Sequence, residues 1–169
     1  MDRNTIEKIL NFLKEKEGME LPNSWFNSIK KLELIKELEN HPDGTQYRYE
    51  DDLYLGYSNI KKLPNDLYVD GYLNLGYCQQ LTELPDKLHV EGNLTLADCN
   101  QITELPNNLY VKNSLILDRC EQITELPNNL YVGRQLIIYK TPLANRYTDD
   151  EIRKIVASTG GKIKGYISR

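Results

Sequence analysis

Three cysteines, Cys78, Cys99 and Cys120, recur every 21 residues, and Glu83, Glu104 and Glu125 keep the same interval. Thiolates bind soft metals and react with disulfides, while aligned carboxylates hold divalent cations or meet lysine and arginine. His41 and His89 are the groups suited to proton transfer near neutral pH. The spacing assembles none of these into a reaction centre. Ligands supplied once per repeat run in a line and cannot surround one ion tetrahedrally, and no C-x-x-C completes a site. His41 precedes Pro42, and no carboxylate or nucleophile has a spacing that sets it beside the His89 ring. Gly160-Gly161-Lys162 lacks the earlier glycine and the following Ser or Thr of a phosphate loop. The expectation is therefore a binding protein with no catalytic residue, no metal and no cofactor. The cysteines read as reduced thiols filling a turn, and the glutamates as a solvated column, with a basic partner or a cation as the alternative.

The elements that carry these columns are repeats. Leu63-Pro64, Leu84-Pro85, Leu105-Pro106 and Leu126-Pro127 open four units of the form LPxxLxVxxxLxLxxCxxITE, and DLYLGYSNIKK before them is a half unit shortened by one residue. Each unit holds two short alternating stretches, such as Leu88-His89-Val90 and Leu94-Thr95-Leu96, that send two side chains inward and one outward. Gly71, Gly92 and Gly133 fall at the corner between them. The pattern predicts a solenoid of about four and a half coils, its parallel β ladders stacked at about 4.8 Å.

Flanking segments read as caps, giving one domain over residues 1–169: helical cap 1–50, repeats 51–143, C-terminal cap 144–169. Ile6, Ile9, Leu10 and Leu13 share one helical face, and Trp25, Ile29, Leu32, Ile35 and Leu38 define a second helix that His41-Pro42-Asp43-Gly44 breaks, with Trp25 expected in the core. Thr148-Asp149-Asp150-Glu151 is a capping box before Ile152, Ile155 and Val156, and residues 162–167 alternate as a closing strand.

The repeat region carries 7 basic and 12 acidic side chains. An acidic array repels phosphate backbones, which disfavours nucleic acid and favours a protein partner with a basic patch. The start has no apolar signal core and no run is long enough to span a bilayer, so the expected location is cytoplasmic, away from membranes.

The unit L-x-L-x-x-C-x-x-I-T-E-L-P resembles the cysteine-containing leucine-rich repeat. Its form L-P-x-x-L-x-V-x-G-x-L-x-L, closed by TPLANRYTDDEIRKIV, a Gly-Gly and a short strand, is similar to small repeat proteins of tailed bacteriophages and bacteria over roughly residues 53–169. That resemblance implies an α/β repeat scaffold that recognises partners through its strand-bearing face, and an accessory role in binding and inhibiting a host defence protein. Many such repeats carry a helix where this chain has L-x-V, so a flatter coil is expected.

Outward positions on and beside the L-x-L stretch change from coil to coil. They include Tyr54, Tyr57, Tyr72, Asn74, Tyr77, Asp98, Ile116, Arg119, Ile137, Tyr139 and Lys140. Variation on a constant backbone is what recognition requires, and tyrosine supplies contact area at modest entropic cost. These are the candidate partner-binding residues, with Ile116 and Ile137 as an exposed apolar patch. The column Tyr68, His89, Tyr110, Tyr131 repeats too faithfully for specificity and reads as cross-strand stacking. Two alternatives remain at this point: binding of a nucleotide or sugar between aromatic faces, and self-association into a homo-oligomer.

Overall fold

The computed structural model describes Lys8 and residues 23–169, and the chain divides into two units between Leu38 and Glu39. All of the helix α1, Asn23–Glu39, except its last residue belongs to the first unit, with Ile29, Ile35 and Leu38 buried. The helix expected around Ile6 to Leu13 and the side chain of Trp25 lie outside the described residues.

From Glu39 onward the chain winds a β-solenoid of about four turns, each close to 21 residues. These turns, with a strand pair before them and one after, give one strand per layer to each of two parallel six-stranded sheets. Sheet A stacks β1 (Tyr47–Tyr49), β3 (Leu67–Val69), β5 (His89–Val90), β7 (Tyr110–Val111), β9 (Tyr131–Val132) and β11 (Lys162–Ile163). Sheet B stacks β2 (Leu53–Tyr54), β4 (Leu73–Asn74), β6 (Leu94–Thr95), β8 (Leu115–Ile116), β10 (Leu136–Ile137) and β12 (Ile167–Ser168). No helix interrupts the coils between β1 and β10. The first strand, Tyr47–Tyr49, pairs with β3 inside the segment expected to cap the array. It lacks the Leu-Pro signature that marks the later coils.

Leu53, Leu73, Leu94, Leu115 and Leu136 align in register and are fully buried, as are Val69, Val90, Val111 and Val132 from the other sheet. Burying each such side chain stabilises by about 1.5–3 kcal/mol. A single coil cannot shield both its ends, so stacking is what makes this burial possible.

Backbone polarity alternates between the sheets. In sheet B an amide donates to the following coil, as Leu94 N–H does to Ser114 O at 2.9 Å; in sheet A it donates to the preceding one, as Lys112 N–H does to Val90 O at 2.9 Å. The last coil therefore presents carbonyls on its sheet A side. Arg153, from the capping helix, donates to Ile163 O at 2.9 Å and to Gly165 O, so its guanidinium fills the place of the next coil.

Two residues per coil adopt left-handed backbone. Asp66, Lys87, Asn108 and Asn129 precede sheet A, and Tyr57, Tyr77, Asp98, Arg119 and Lys140 follow sheet B, all with φ between 55° and 62°. Asn and Asp tolerate this region, whereas tyrosine, arginine and lysine bring a steric cost.

The C-terminal cap contains the short helix α2, Pro142–Arg146, and α3, Asp149–Ser158. The expected capping box is present: Glu151 N–H donates to Thr148 Oγ1 at 3.3 Å and Thr148 N–H to Glu151 Oε2 at 2.8 Å. Residues 162–167 form two strands rather than one, with Gly165 at the corner between β11 and β12. A Cβ there would lie 1.9 Å from Arg134 O, so only glycine lets the final corner stack on its neighbour.

Candidate interaction face

Each sheet presents one outward column per coil, and the two behave differently. On sheet A, Tyr68, His89, Tyr110 and Tyr131 stack ring on ring, with centroids 4.2, 4.1 and 4.7 Å apart and planes within 14°. The Arg48 guanidinium lies 4.8 Å from the Tyr68 centroid at one end, and Lys164 Nζ 5.3 Å from that of Tyr131 at the other. Both contacts put a cation over an aromatic ring.

Glu91 braces this stack. It accepts from Tyr68 OH at 2.9 Å, pairs with His89 Nε2 at 2.8 Å and accepts from Lys112 Nζ at 2.6 Å. Lys112 first, then His89 and Tyr68, hold its carboxyl down at about 2. The expectation that no carboxylate neighbours His89 is corrected here. Alternation places His89 and Glu91 on one side of the same strand, and that two-residue signal was readable.

Sheet B carries Tyr54, Asn74, Thr95, Ile116 and Ile137 in register. The left-handed column Tyr57, Tyr77, Asp98, Arg119, Lys140 runs beside it. All the sequence-predicted residues therefore share one face and its bordering turn. Tyr57 and Tyr77 stack at 4.5 Å, and Tyr54 meets Tyr72 edge-on at 5.6 Å. Tyr72 OH donates to Thr95 Oγ1 at 2.7 Å. Arg119 grips both carboxylate oxygens of Asp98 through Nε, at 2.8 and 2.9 Å, and reaches Tyr77 OH at 3.1 Å through Nη2. Asp98 is held below the usual carboxylate range by that guanidinium.

The large apolar side chains most open to solvent among the described residues are Tyr54, Tyr57, Tyr77, Tyr139 and Tyr166, between 37% and 78% exposed. Every one belongs to sheet B or its turn. Tyr166, in register with Gln135, is a member that sequence reasoning missed because the closing strand was read as a single piece. Ile116 and Ile137 are half-buried, less open than expected, because each packs between neighbours in the ladder.

The cysteines are fully buried, and each thiol donates to a leucine carbonyl of the preceding coil: Cys78 to Leu55, Cys99 to Leu75 and Cys120 to Leu96, at 3.0–3.2 Å. Burial pushes the Cys99 and Cys120 thiols up to about 11 and about 12, which keeps them protonated. Ser58 and Thr141 occupy the same position in the flanking coils. Ser58 Oγ lies 3.7 Å from Cys78 Sγ, and Thr141 Oγ1 donates to Ile138 O at 2.7 Å and accepts from Ala144 N–H, capping α2.

Glu83, Glu104 and Glu125 stand exposed along an open groove of about 380 Å³ that also includes Asp86 and Pro106. Among the described residues no three His, Cys, Asp or Glu side chains converge as metal ligands, and no helix is long and apolar enough to cross a membrane. No protein-family model, curated protein or solved structure matches this chain.

Proposed function

We propose that this chain is a protein-binding repeat module that docks through sheet B, and that it acts by occupancy rather than by catalysis. The observation that carries this reading is the gathering of the five most exposed tyrosines on one side of the solenoid. Exposed aromatic area on a rigid support is what interface anchors need, since a pre-ordered ring loses little freedom when it is covered. Bulky residues in the left-handed turn support the same reading. Tyr57, Tyr77, Arg119 and Lys140 adopt backbone that glycine or asparagine would accept more easily, whereas three of the four residues in the left-handed turn before sheet A are Asp or Asn.

The resemblance of the repeat to small phage and bacterial proteins extends the proposal to an accessory protein that blocks a host protein in the cytoplasm. A partner surface with basic groups would suit the acidic array.

The test compares the intact chain with alanine variants at Tyr57, Tyr77, Ile116 and Tyr139 as bait in the cell that produces it. Loss of specific capture with an unchanged melting temperature supports the face; undiminished capture by all four variants rules it out. Tyr131→Ala on sheet A serves as control, expected to lower the melting temperature and leave capture intact.

A further inference from the structure

The first five of the six sheet B strands are polarised along the solenoid axis in a way that matches itself, with β12 lying beyond them. Corresponding positions in the first and last full coils are Asp51 and Arg134 at the corner, Tyr54 and Ile137 on the strand, and Tyr57 and Lys140 in the turn. One coil further in, Asn74 corresponds to Ile116 and Tyr77 to Arg119; Thr95 sits at the centre. Asp51, Arg134 and Lys140 are all exposed.

We propose that the partner of sheet B is a second copy of this chain, packed face to face and antiparallel about a twofold axis that crosses the middle coil at Thr95. This rests on reading sheet B as the interaction face. The symmetry sets the first coil of each copy on the last coil of the other. Asp51 then meets Arg134 of the second copy, acid on base. The Tyr54 ring meets Ile137, and the Tyr57 ring meets the Lys140 ammonium, a cation over an aromatic face. Tyr77 likewise meets Arg119.

On the axis itself Asp98 approaches its own symmetry mate. Each of these carboxylates is already bound by Arg119 of its own chain, so two bare charges do not confront one another. The other twofold, along the solenoid axis, reverses the strands and sets Arg134 against Lys140 of the second copy, base on base, and is disfavoured by that repulsion.

The footprint is small. Five of the six sheet B strands at about 4.8 Å and about six extended residues across give roughly 400 Å² per copy, about 800 Å² in total, which is below the standard specific interface and in the range of weak, transient contacts. A contact of that size fits a weak, reversible dimer.

Sedimentation equilibrium on the full chain from about 1 µM to about 500 µM tests this. The expected result is a rise from one chain mass to two across that range. Arg134→Asp and Asp51→Arg should each weaken dimerisation at least about tenfold, and the combined D51R/R134D variant should restore it to within about threefold. Because both residues lie at the surface, equal melting temperatures exclude unfolding as the cause. A monomer throughout, or a double variant no tighter than the singles, overturns the homodimer. If the chain stays monomeric while Tyr57→Ala and Tyr77→Ala still abolish capture of a different protein, the face stands and the second copy fails. If a dimer forms that ignores both the charge swap and the tyrosine substitutions, the second copy on sheet B fails, and the face stands or falls by the capture experiment alone.

Discussion

Sheets A and B share one backbone, one coil spacing and one inward packing pattern, yet their outward tyrosines meet different fates. On sheet A the column is aromatic in four successive coils, so each ring finds another ring one coil away and the stack closes on itself, with Arg48 and Lys164 covering its ends. On sheet B the column runs Tyr54, Asn74, Thr95, Ile116, Ile137, and a ring beside an amide or a methyl group has no matching surface. A constant aromatic column consumes its surface along the whole array; where the column varies, a stack stops after one pair, as with Tyr57 on Tyr77, and leaves ring area exposed. The same residue type is therefore packed ring on ring on one side and left exposed on the other.

The largest test of that contrast is truncation of one ring on each side. Tyr110→Ala removes stacking on both His89 and Tyr131 and opens a half-buried position, with an expected loss of about 2–4 kcal/mol in denaturant unfolding. Tyr139→Ala on sheet B, 47% exposed, is expected to stay within about 0.5 kcal/mol of the parent. Equal losses on the two sides would erase the distinction.

Next in size is the carboxylate that braces sheet A. Glu91→Gln keeps the shape and removes the charge that Tyr68, His89 and Lys112 share, and is expected to lower stability by about 1–2 kcal/mol at neutral pH. The pH dependence has a definite sign. With its folded value depressed to about 2 from 4.5, Glu91 contributes stability that is fully present above 4.5 and lost as the pH falls toward 2. Melting curves across that window should show a steeper decline for the parent than for E91Q. Parallel curves would mean that the bracing contacts do not couple to folding.

How far the sequence disclosed these features depends on whether the repeat or the exception carried them. Leu94 and Val90, with their equivalents, were legible because a fixed residue type at a fixed interval states both the coil and its inward face. Thr148 and Glu151 were legible because a capping box is local. Exceptions hid the rest. Tyr47–Tyr49 forms a sheet A strand with no Leu-Pro ahead of it, and Ser58 and Thr141 continue the cysteine column under different chemistry. Gly165 splits the last strand by a steric contact with Arg134 O that exists only once the coils are stacked. The left-handed turn after sheet B was invisible for a related reason. Glycine or asparagine would have announced it, and the residues present are tyrosine, aspartate, arginine and lysine.

That turn offers the smallest and sharpest probe. Lys87 and Lys140 share the same side chain and nearly the same backbone, with φ of 56° and 55°, but Lys87 lies before sheet A and Lys140 beside the proposed contact. Replacing either with glycine relieves the left-handed strain, and each variant is expected to gain a few tenths to about 1 kcal/mol in unfolding free energy. Lys87 gives up only a solvent-exposed pair with Asp66 at 3.2 Å, a contact of little worth in water. Lys87→Gly should therefore be more stable and associate like the parent. Lys140→Gly should be more stable and associate less, because it deletes the ammonium that faces Tyr57 in the proposed dimer. Opposite signs for stability and association at one position would mean that folding alone does not account for lysine there. If both variants associate like the parent, residue 140 contributes nothing to contact, and the division between the two sheets loses its support at that edge.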